Sequence, residues 1–471
     1  MRRLLGYLAV SIVSALVGLL AVPVSTRLFE QNVLGQLNLL VSIALIIYVV
    51  LLFGMDQGYI RFFYEQANKG ARKLLLVRSL VLPLLTSVLL IVALLLCRDW
   101  LGLYLNGEPL CVALSLGFLV LSLVLLRFAI CFCRVSNQLL LFGAFTIVNV
   151  LFSKCIYLFN LGDKTFSVSL RVIIVVSIAA TVACVLFLML SNSGERTSAR
   201  QCVSFKSLFS YSLPLMPAML LSTVNANIPL FFVRSFLDFS AVGVFAMSVT
   251  VSSAVNVIGS GVNSFWPTYV FKNYSNKQHV IQLFHRALTF CLFLLATILI
   301  IARPVIPMFL GEGYESSANL FAILLISPLC YTIGETAGVG IHIQKKSSLF
   351  LLIYCGGLVI NIALCFIMTS WFGITGAAAS VSLTAIMMLL AKAIIGNLFY
   401  DSTGSFRWLL SAISLVSVQA ISCQVLTVYP ATVIISLASV VLFPFLAGIS
   451  SFKRDVKDVA DRLLILTKKG A

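Results

Sequence analysis

Charged side chains are scarce in this sequence, and acidic ones are the scarcest. Only 10% of the 471 residues are charged, with 15 Asp and Glu against 32 Lys and Arg, whereas soluble domains average about 25% charged residues. The sequence has 3 histidines, and no two of its 12 cysteines form a CxxC pair. We therefore expect neither a water-soluble domain nor a disulfide framework, and we expect no metal ion and no cofactor.

Long apolar runs fill almost the whole chain, and hydrophobic residues make up 61% of it. An apolar helix of about twenty residues crosses the hydrocarbon core of a bilayer, and helices satisfy their own backbone groups there. The sequence thus predicts an all-α integral membrane protein with about 14 transmembrane helices, within a range of 12–14. The candidate spans are Leu4–Val24, Val33–Met55, Leu76–Leu96, Leu110–Cys133, Leu139–Leu161, Val168–Leu190, Leu208–Phe232, Ala241–Val262, Val280–Ile301, Leu320–Val339, Leu349–Met368, Gly376–Gly396, Leu409–Leu426 and Ala431–Ile449.

The basic residues favour one side of the membrane. Most lie in the even-numbered connections between spans or at the N-terminus, as Arg2, Arg72, Lys73 and Arg200 do. Cytoplasmic loops carry such an excess, so we expect both termini in the cytoplasm. The net charge of +17 is explained by this bias, and we expect no nucleic-acid partner.

A polar stretch near the middle divides the chain into two halves. We predict an N-terminal six-helix lobe (residues 1–190), a cytoplasmic linker (191–206), a C-terminal six-helix lobe (207–400), two additional helices (401–450) and a basic amphipathic tail (451–471). The tail pattern fits a helix on the inner membrane surface or a solvated segment. With a one-residue gap, Gly35 aligns with Gly243 in a faint repeat, which predicts pseudo-symmetric lobes related by an axis along the membrane normal.

Polar residues recur along the eighth predicted span at steps of four and three, namely Ser248, Ser252, Asn256, Ser260 and Asn263. This spacing keeps them on one helical face. Such a face contacts either a neighbouring helix, through interhelical hydrogen bonds, or water. We interpret it as the lining of a cavity, together with Asn225 of the seventh span.

Cations within the predicted spans are costly and therefore mark candidates for function. Lys154 lies in the outer third of the fifth span, whereas Arg127 and Lys392 lie toward the inner ends of the fourth and twelfth. Snorkelling toward the headgroups is the alternative for Arg127 and Lys392. An internal excess of cations favours an anion such as a pyrophosphate.

Two acids lie close to these cations along the spans. Asp56 follows the second span, and Glu335 lies in the inner third of the tenth. Either residue is a candidate for ion coupling if burial favours its protonated form. The alternative is a local ion pair, of Asp56 with Arg61 and of Glu335 with His342.

Several stretches together resemble Wzx-type oligosaccharide flippases, members of the superfamily that also contains multidrug exporters and the lipid II flippase. The resemblance rests on FGMDQGYIRFFYE (Phe53–Glu65), YSLPLMPAML (Tyr211–Leu220), AVGVFAMSVTV (Ala241–Val251) and the stretch Ile341–Ser380. Their order and spacing cover the chain up to about Tyr400. The resemblance implies two six-helix lobes with two extra helices.

The implied activity is translocation of undecaprenyl-pyrophosphate-linked sugar repeat units, as in O-antigen, across the bacterial inner membrane by alternating access, rather than an enzymatic reaction. In this hypothesis Lys154, Arg127 and Arg61 bind the pyrophosphate. The residues that bind sugar hydroxyls are Asn225, Ser252, Asn256, Ser260 and Asn263. The expected partners are the lipid-linked oligosaccharide, membrane lipids, a polysaccharide polymerase and a chain-length regulator. The alternatives are a small-molecule exporter of the same superfamily and a membrane glycan polymerase or ligase.

Overall fold

The regular secondary structure of the protein is helical. The computed structural model describes residues 2–66, 69–191, 203–344, 346–426, 428–455 and 457–458, and no strand occurs within these ranges. Eleven helical stretches of this part are long and apolar enough to cross a membrane. In hydrocarbon only structures that pair all their backbone groups internally are stable. The predicted all-α membrane fold is confirmed.

The first compact unit is Met1–Ala246. Its helices are α1 (Arg2–Leu28), α2 (Gln31–Leu52), α3 (Met55–Phe63), α4 (Lys69–Leu96), α5 (Arg98–Leu105), α6 (Pro109–Val135), α7 (Leu139–Lys154), α8 (Phe166–Ser191), α9 (Phe205–Ser212) and α10 (Met216–Phe236). Most of α6 is buried, because α2, α4, α5, α7 and α8 all pack against it. The α6 helix is therefore the centre of this unit.

The second compact unit is Met247–Ala471. The helices that follow α10 are α11 (Phe239–Ser252), α12 (Asn256–Asn273), α13 (Gln278–Ile301), α14 (Val305–Phe309), α15 (Ser317–Leu324), α16 (Ile326–Ala337), α17 (Val339–Ile343), α18 (Ser347–Phe399), α19 (Phe406–Val425) and α20 (Tyr429–Ala447). Aromatic rings from α13, α19 and α20 form part of its core, with the Phe293 and Phe443 centroids 4.8 Å apart. The predicted extra helices, α19 and α20, thus pack on α13.

The predicted spans correspond to these helices, although the count of fourteen stays a prediction. The apolar helix α7, Leu139–Lys154, is shorter than a full span. The long α18 contains two predicted spans and breaks at Gly373, whose φ of 58° and ψ of −137° are not helical. Glycine adopts this conformation because it lacks a Cβ. The eighth span is interrupted by a single 3₁₀ turn over Ser253–Val255.

The predicted domain boundaries stay a prediction; the compact units divide the chain between residues 246 and 247. The helices α9 and α10 belong to the first unit, where α10 packs on α2 and α9 packs on α3. Most of the predicted linker and tail, residues 192–202, 456 and 459–471, lies outside the described residues. The described start of the tail packs through Phe452 on Trp408, with centroids 5.5 Å apart.

The helices α2 and α11 cross in direct backbone contact at Gly35 and Gly243. A Cβ atom on Gly35 would overlap the carbonyl oxygen of Phe239 and lie 3.1 Å from the Gly243 nitrogen. Reciprocally, a Cβ atom on Gly243 would overlap the carbonyl oxygen of Gln31 and lie 3.2 Å from the Gly35 nitrogen. These two glycines are the ones that the sequence repeat aligns.

We predict that Gly35→Ala destabilises the protein because α2 and α11 must separate to accommodate the methyl group. Overpacking of this kind costs about 1–3 kcal/mol, which thermal unfolding in detergent measures. Gly261→Ala on α12 is the matched control, since no atom lies within 4 Å of its added Cβ. In a helix that change is neutral or stabilises by about 0.5–1 kcal/mol. Equal stability of the two variants would contradict the close crossing.

Candidate functional site

Asp56 is held at the start of α3 by a sharp change of chain direction after α2. Phe53 and Gly54 both have left-handed backbone angles, with φ of 48° and 67°. This places Asp56 in the first turn of α3, where a carboxylate is favoured by the helix dipole. The side chain is fully buried, with 0% exposure. A buried carboxylate at this position requires a cationic partner.

Arg127 of α6 is that partner. Its Nε and Nη2 donate hydrogen bonds of 2.9 and 2.7 Å to Asp56 Oδ2, and Gln57 Nε2 donates a third of 2.8 Å to the same oxygen. The Arg127 side chain retains 31% exposure. The alternative pairing of Asp56 with Arg61 is wrong, because Arg61 forms an exposed ion pair of 2.5 Å with Glu65. The guanidinium group of Arg127 binds the buried carboxylate of Asp56, so Arg127 does not snorkel toward the headgroups.

Lys154 is the last residue of α7, where the α-helix ends seven residues earlier than the predicted span. It is exposed and lies against α1, since a Cβ atom on Gly18 would be 3.6 Å from its Cδ. Glycine at position 18 leaves the lysine uncovered. Among the described residues no acidic side chain lies within salt-bridge distance of Lys154. Of the three predicted phosphate ligands, Arg127 and Arg61 are therefore paired with acidic side chains, whereas Lys154 has no acidic partner among the described residues.

The predicted polar face changes its surroundings at the 3₁₀ turn. Ser248 and Ser252 are buried. Ser252 Oγ donates a hydrogen bond of 3.0 Å to the carbonyl oxygen of Val249. Asn256, Ser260 and Asn263, on α12, are exposed. A neighbouring side of α12 packs through Val262, Trp266 and Val270 against Ile281 and Val339. The apolar side thus anchors α12 and leaves three polar residues on its exposed side.

Asn225 differs from the exposed residues of α12. It lies on α10 in the first unit and is 8% exposed. A buried amide requires hydrogen-bond partners, and Asn225 does have interactions within the protein. Its predicted contact with substrate remains a prediction.

Glu335 of α16 forms a partly buried ion pair with Lys392 of α18. The Nζ atom of Lys392 lies 3.2 Å from Glu335 Oε1 and 3.5 Å from the hydroxyl oxygen of Tyr354. The rings of Phe350 and Tyr354 pack against this ammonium group, 5.7 and 5.2 Å from their centroids. The Lys392 side chain is 3% exposed, so snorkelling does not explain it.

His342 is not the partner of Glu335. Its ring stacks on Phe350 with centroids 4.2 Å apart. Burial lowers the pKa of His342, and the nearby Lys392 lowers it further while Glu335 opposes this shift. The predicted local pair of Glu335 with His342 is therefore wrong.

A third ion pair joins α13 to the start of the tail, and no sequence pattern indicated it. Arg286 Nη1 lies 2.7 Å from Asp455 Oδ2, and both side chains are largely buried. Burial raises the pKa of Asp455, and Arg286 opposes this shift. The pair fixes the first turn of the tail to the second unit.

Removing Arg127 should destabilise the protein far more than removing Arg61. Arg127→Ala leaves the Asp56 carboxylate buried without a counterion, which costs about 3–5 kcal/mol. Arg61→Ala removes an exposed pair that contributes at most about 1 kcal/mol. Thermal unfolding of both variants in one detergent checks this difference. If Arg61→Ala lowered the stability as much as Arg127→Ala does, burial of the ion pair would not determine how much stability is lost.

Two solved structures of membrane transporters share this fold. The inward closed conformation of the lipid II flippase MurJ matches with a TM-score of 0.66 at 15% identity, covering 95% of this chain and 98% of that one. An inward-facing multidrug resistance MATE family transporter of the MOP superfamily matches with a TM-score of 0.54 at 16% identity, covering 84% of this chain and 94% of that one. No family model and no curated protein matches the sequence. The chain therefore has a fold that is found in a lipid II flippase and in a multidrug resistance transporter, neither of which is an enzyme.

Proposed function

We propose that this protein is a flippase for undecaprenyl-pyrophosphate-linked oligosaccharide repeat units of O-antigen or a related surface polysaccharide. It would act in a bacterial inner membrane, with both termini in the cytoplasm. The fold shared with the lipid II flippase supports a lipid-linked substrate. The observation that carries the proposal is Lys154, an exposed cation at the end of a membrane helix without an acidic partner among the described residues. Such a charge attracts an anionic headgroup.

The physical problem is to move a charged, hydroxyl-rich headgroup across about 30 Å of hydrocarbon. In our proposal Lys154 is the principal pyrophosphate ligand, because ammonium groups bind phosphate oxygens strongly. Arg127 contributes through the part of its side chain that Asp56 leaves exposed, and the exposed Arg61 meets the headgroup before it enters the membrane. Alternating access then delivers the headgroup to the outer leaflet.

The sugar moiety needs hydrogen-bonding groups that do not carry charge. Asn256, Ser260 and Asn263 offer amide and hydroxyl groups on the exposed side of α12, and these donate to and accept from sugar hydroxyls. In our proposal Ser252 and Asn225, both buried, also form hydrogen bonds with the sugar moiety. A polymerase and a chain-length regulator are the proposed protein partners, since both act on the delivered repeat units.

Export of a small molecule is the second candidate, because the MATE family transporter has the same fold. Deleting the gene would distinguish the two. A strain without a repeat-unit flippase retains its lipid-linked repeat units on the cytoplasmic side, where a membrane-impermeant glycan reagent cannot reach them. A strain without a drug exporter instead becomes sensitive to cationic drugs. A polymerase or ligase defect would leave single repeat units accessible from outside.

Lys154→Ala should lower repeat-unit transport in proteoliposomes roughly ten- to a hundredfold, as expected for the loss of one charge-assisted contact. Lys154→Arg keeps the charge and should retain most of the activity. Lys69→Ala, which removes an exposed lysine from the start of α4, is the matched control. Unchanged transport by Lys154→Ala at equal protein levels would remove Lys154 from the proposal.

We further propose Glu335 as the group for ion coupling, with Asp56 as the second candidate. Glu335 keeps 30% exposure in its pair with Lys392, whereas Asp56 keeps none, so ions reach Glu335 more readily. If a proton is the coupling ion, Glu335→Gln should abolish the response of transport to an imposed pH gradient, because an amide takes up no proton. Asp56→Asn should retain the response. A response that persists in Glu335→Gln would exclude this residue.

A further inference from the structure

An apolar groove runs along the first unit between α4 and α8. Both helices pack on α6, and the space between them has a volume of about 390 Å³. Leu125 of α6, only 2% exposed, lies at its base. Leu76, Leu80 and Leu84 of α4 form one wall, and Leu188 belongs to the opposite wall. Every residue that lines the groove is apolar except Lys73.

The length of the groove corresponds to the depth of a single membrane leaflet. Its α4 wall extends from Lys73 to Leu84, which at 1.5 Å per residue is about 16 Å. Half of the hydrocarbon core measures about 15 Å. An acyl chain of one leaflet therefore fits the groove along its length. An undecaprenyl chain is several times longer than a leaflet and does not fit.

The positive charge lies at one end of the groove. Lys73 is partly exposed and has no acidic partner among the described residues. Lys69, one turn earlier on α4, is exposed as well. Arg78, five residues further along, donates a 2.6 Å hydrogen bond to the carbonyl oxygen of Val203. This end of the groove thus complements an anionic headgroup at the interface, on the side that the charge bias predicts to be cytoplasmic.

We propose that this groove is a binding site for an anionic phospholipid of the leaflet on the Lys73 side. One acyl chain lies along Leu76, Leu80 and Leu84, and the phosphate of the headgroup contacts the Lys73 ammonium group. The lipid fills the space between α4 and α8 above Leu125 and completes the packing there. The site does not depend on the proposed transport function.

Native mass spectrometry of the full-length protein tests this site with two lipids of identical acyl chains, phosphatidylglycerol and phosphatidylethanolamine. We expect the protein to bind phosphatidylglycerol more tightly. Lys73→Ala should weaken phosphatidylglycerol binding roughly fivefold to tenfold, the effect of one lysine at an anionic interface, and should remove the preference. Lys272→Ala, which removes an exposed lysine at the end of α12, is the matched control. We expect it to change neither affinity.

A second variant separates the groove from simple surface attraction. Leu80→Trp fills the groove with a larger side chain and should weaken the binding of both lipids, whereas Lys73→Ala affects only the anionic one. Binding that is unaffected by Leu80→Trp would show a headgroup contact without an acyl chain and overturn the proposal. Displacement of bound phosphatidylglycerol by an equimolar amount of undecaprenyl phosphate would overturn it too, since the groove would then hold a polyprenyl chain.

Discussion

The cost of a charge in hydrocarbon governs this structure. A chain that crosses the membrane many times can keep an ionised side chain within it only by pairing it or exposing it to water. Arg127 and Lys392 follow the first course, with Asp56 and Glu335 as their partners. Lys154 follows the second course, because it is exposed and no acidic side chain among the described residues lies within salt-bridge distance of it. This difference makes Lys154 the centre of the functional proposal.

Local properties of the sequence were sufficient to predict the helices. Apolar runs of about twenty residues specify membrane helices whatever their neighbours are, so the all-α fold and the approximate spans followed from the sequence. Helix ends were less predictable, and α7 stops at Lys154 although the apolar run continues. Gly373 lies within the stretch Ile341–Ser380 that carries the family resemblance, and its backbone conformation divides α18.

Contacts between distant parts of the chain were predicted unevenly. The sequence analysis named Arg61 and His342 as alternative local partners of the two acids, but the partners are 71 and 57 residues away. Only tertiary packing brings such residues together, and spacing along a helix carries no information about it. The repeat did align Gly35 with Gly243, which the structure places in mutual contact. The spacing of Asn256, Ser260 and Asn263 predicted that they share one side of a helix, and all three are exposed on α12. Ser248 and Ser252 are buried by neighbouring residues that the sequence pattern does not identify.

The account requires that Lys154 and the polar side of α12 are hydrated within the membrane domain. Single cysteines at positions 154, 256 and 89, introduced into a variant without its 12 native cysteines, test this with a membrane-impermeant thiol reagent. Leu89 is 66% exposed on an apolar stretch of α4 and should face lipid. We predict that cysteines at 154 and 256 react and that the one at 89 does not. Failure of both positions 154 and 256 to react from either side of the membrane would contradict the account.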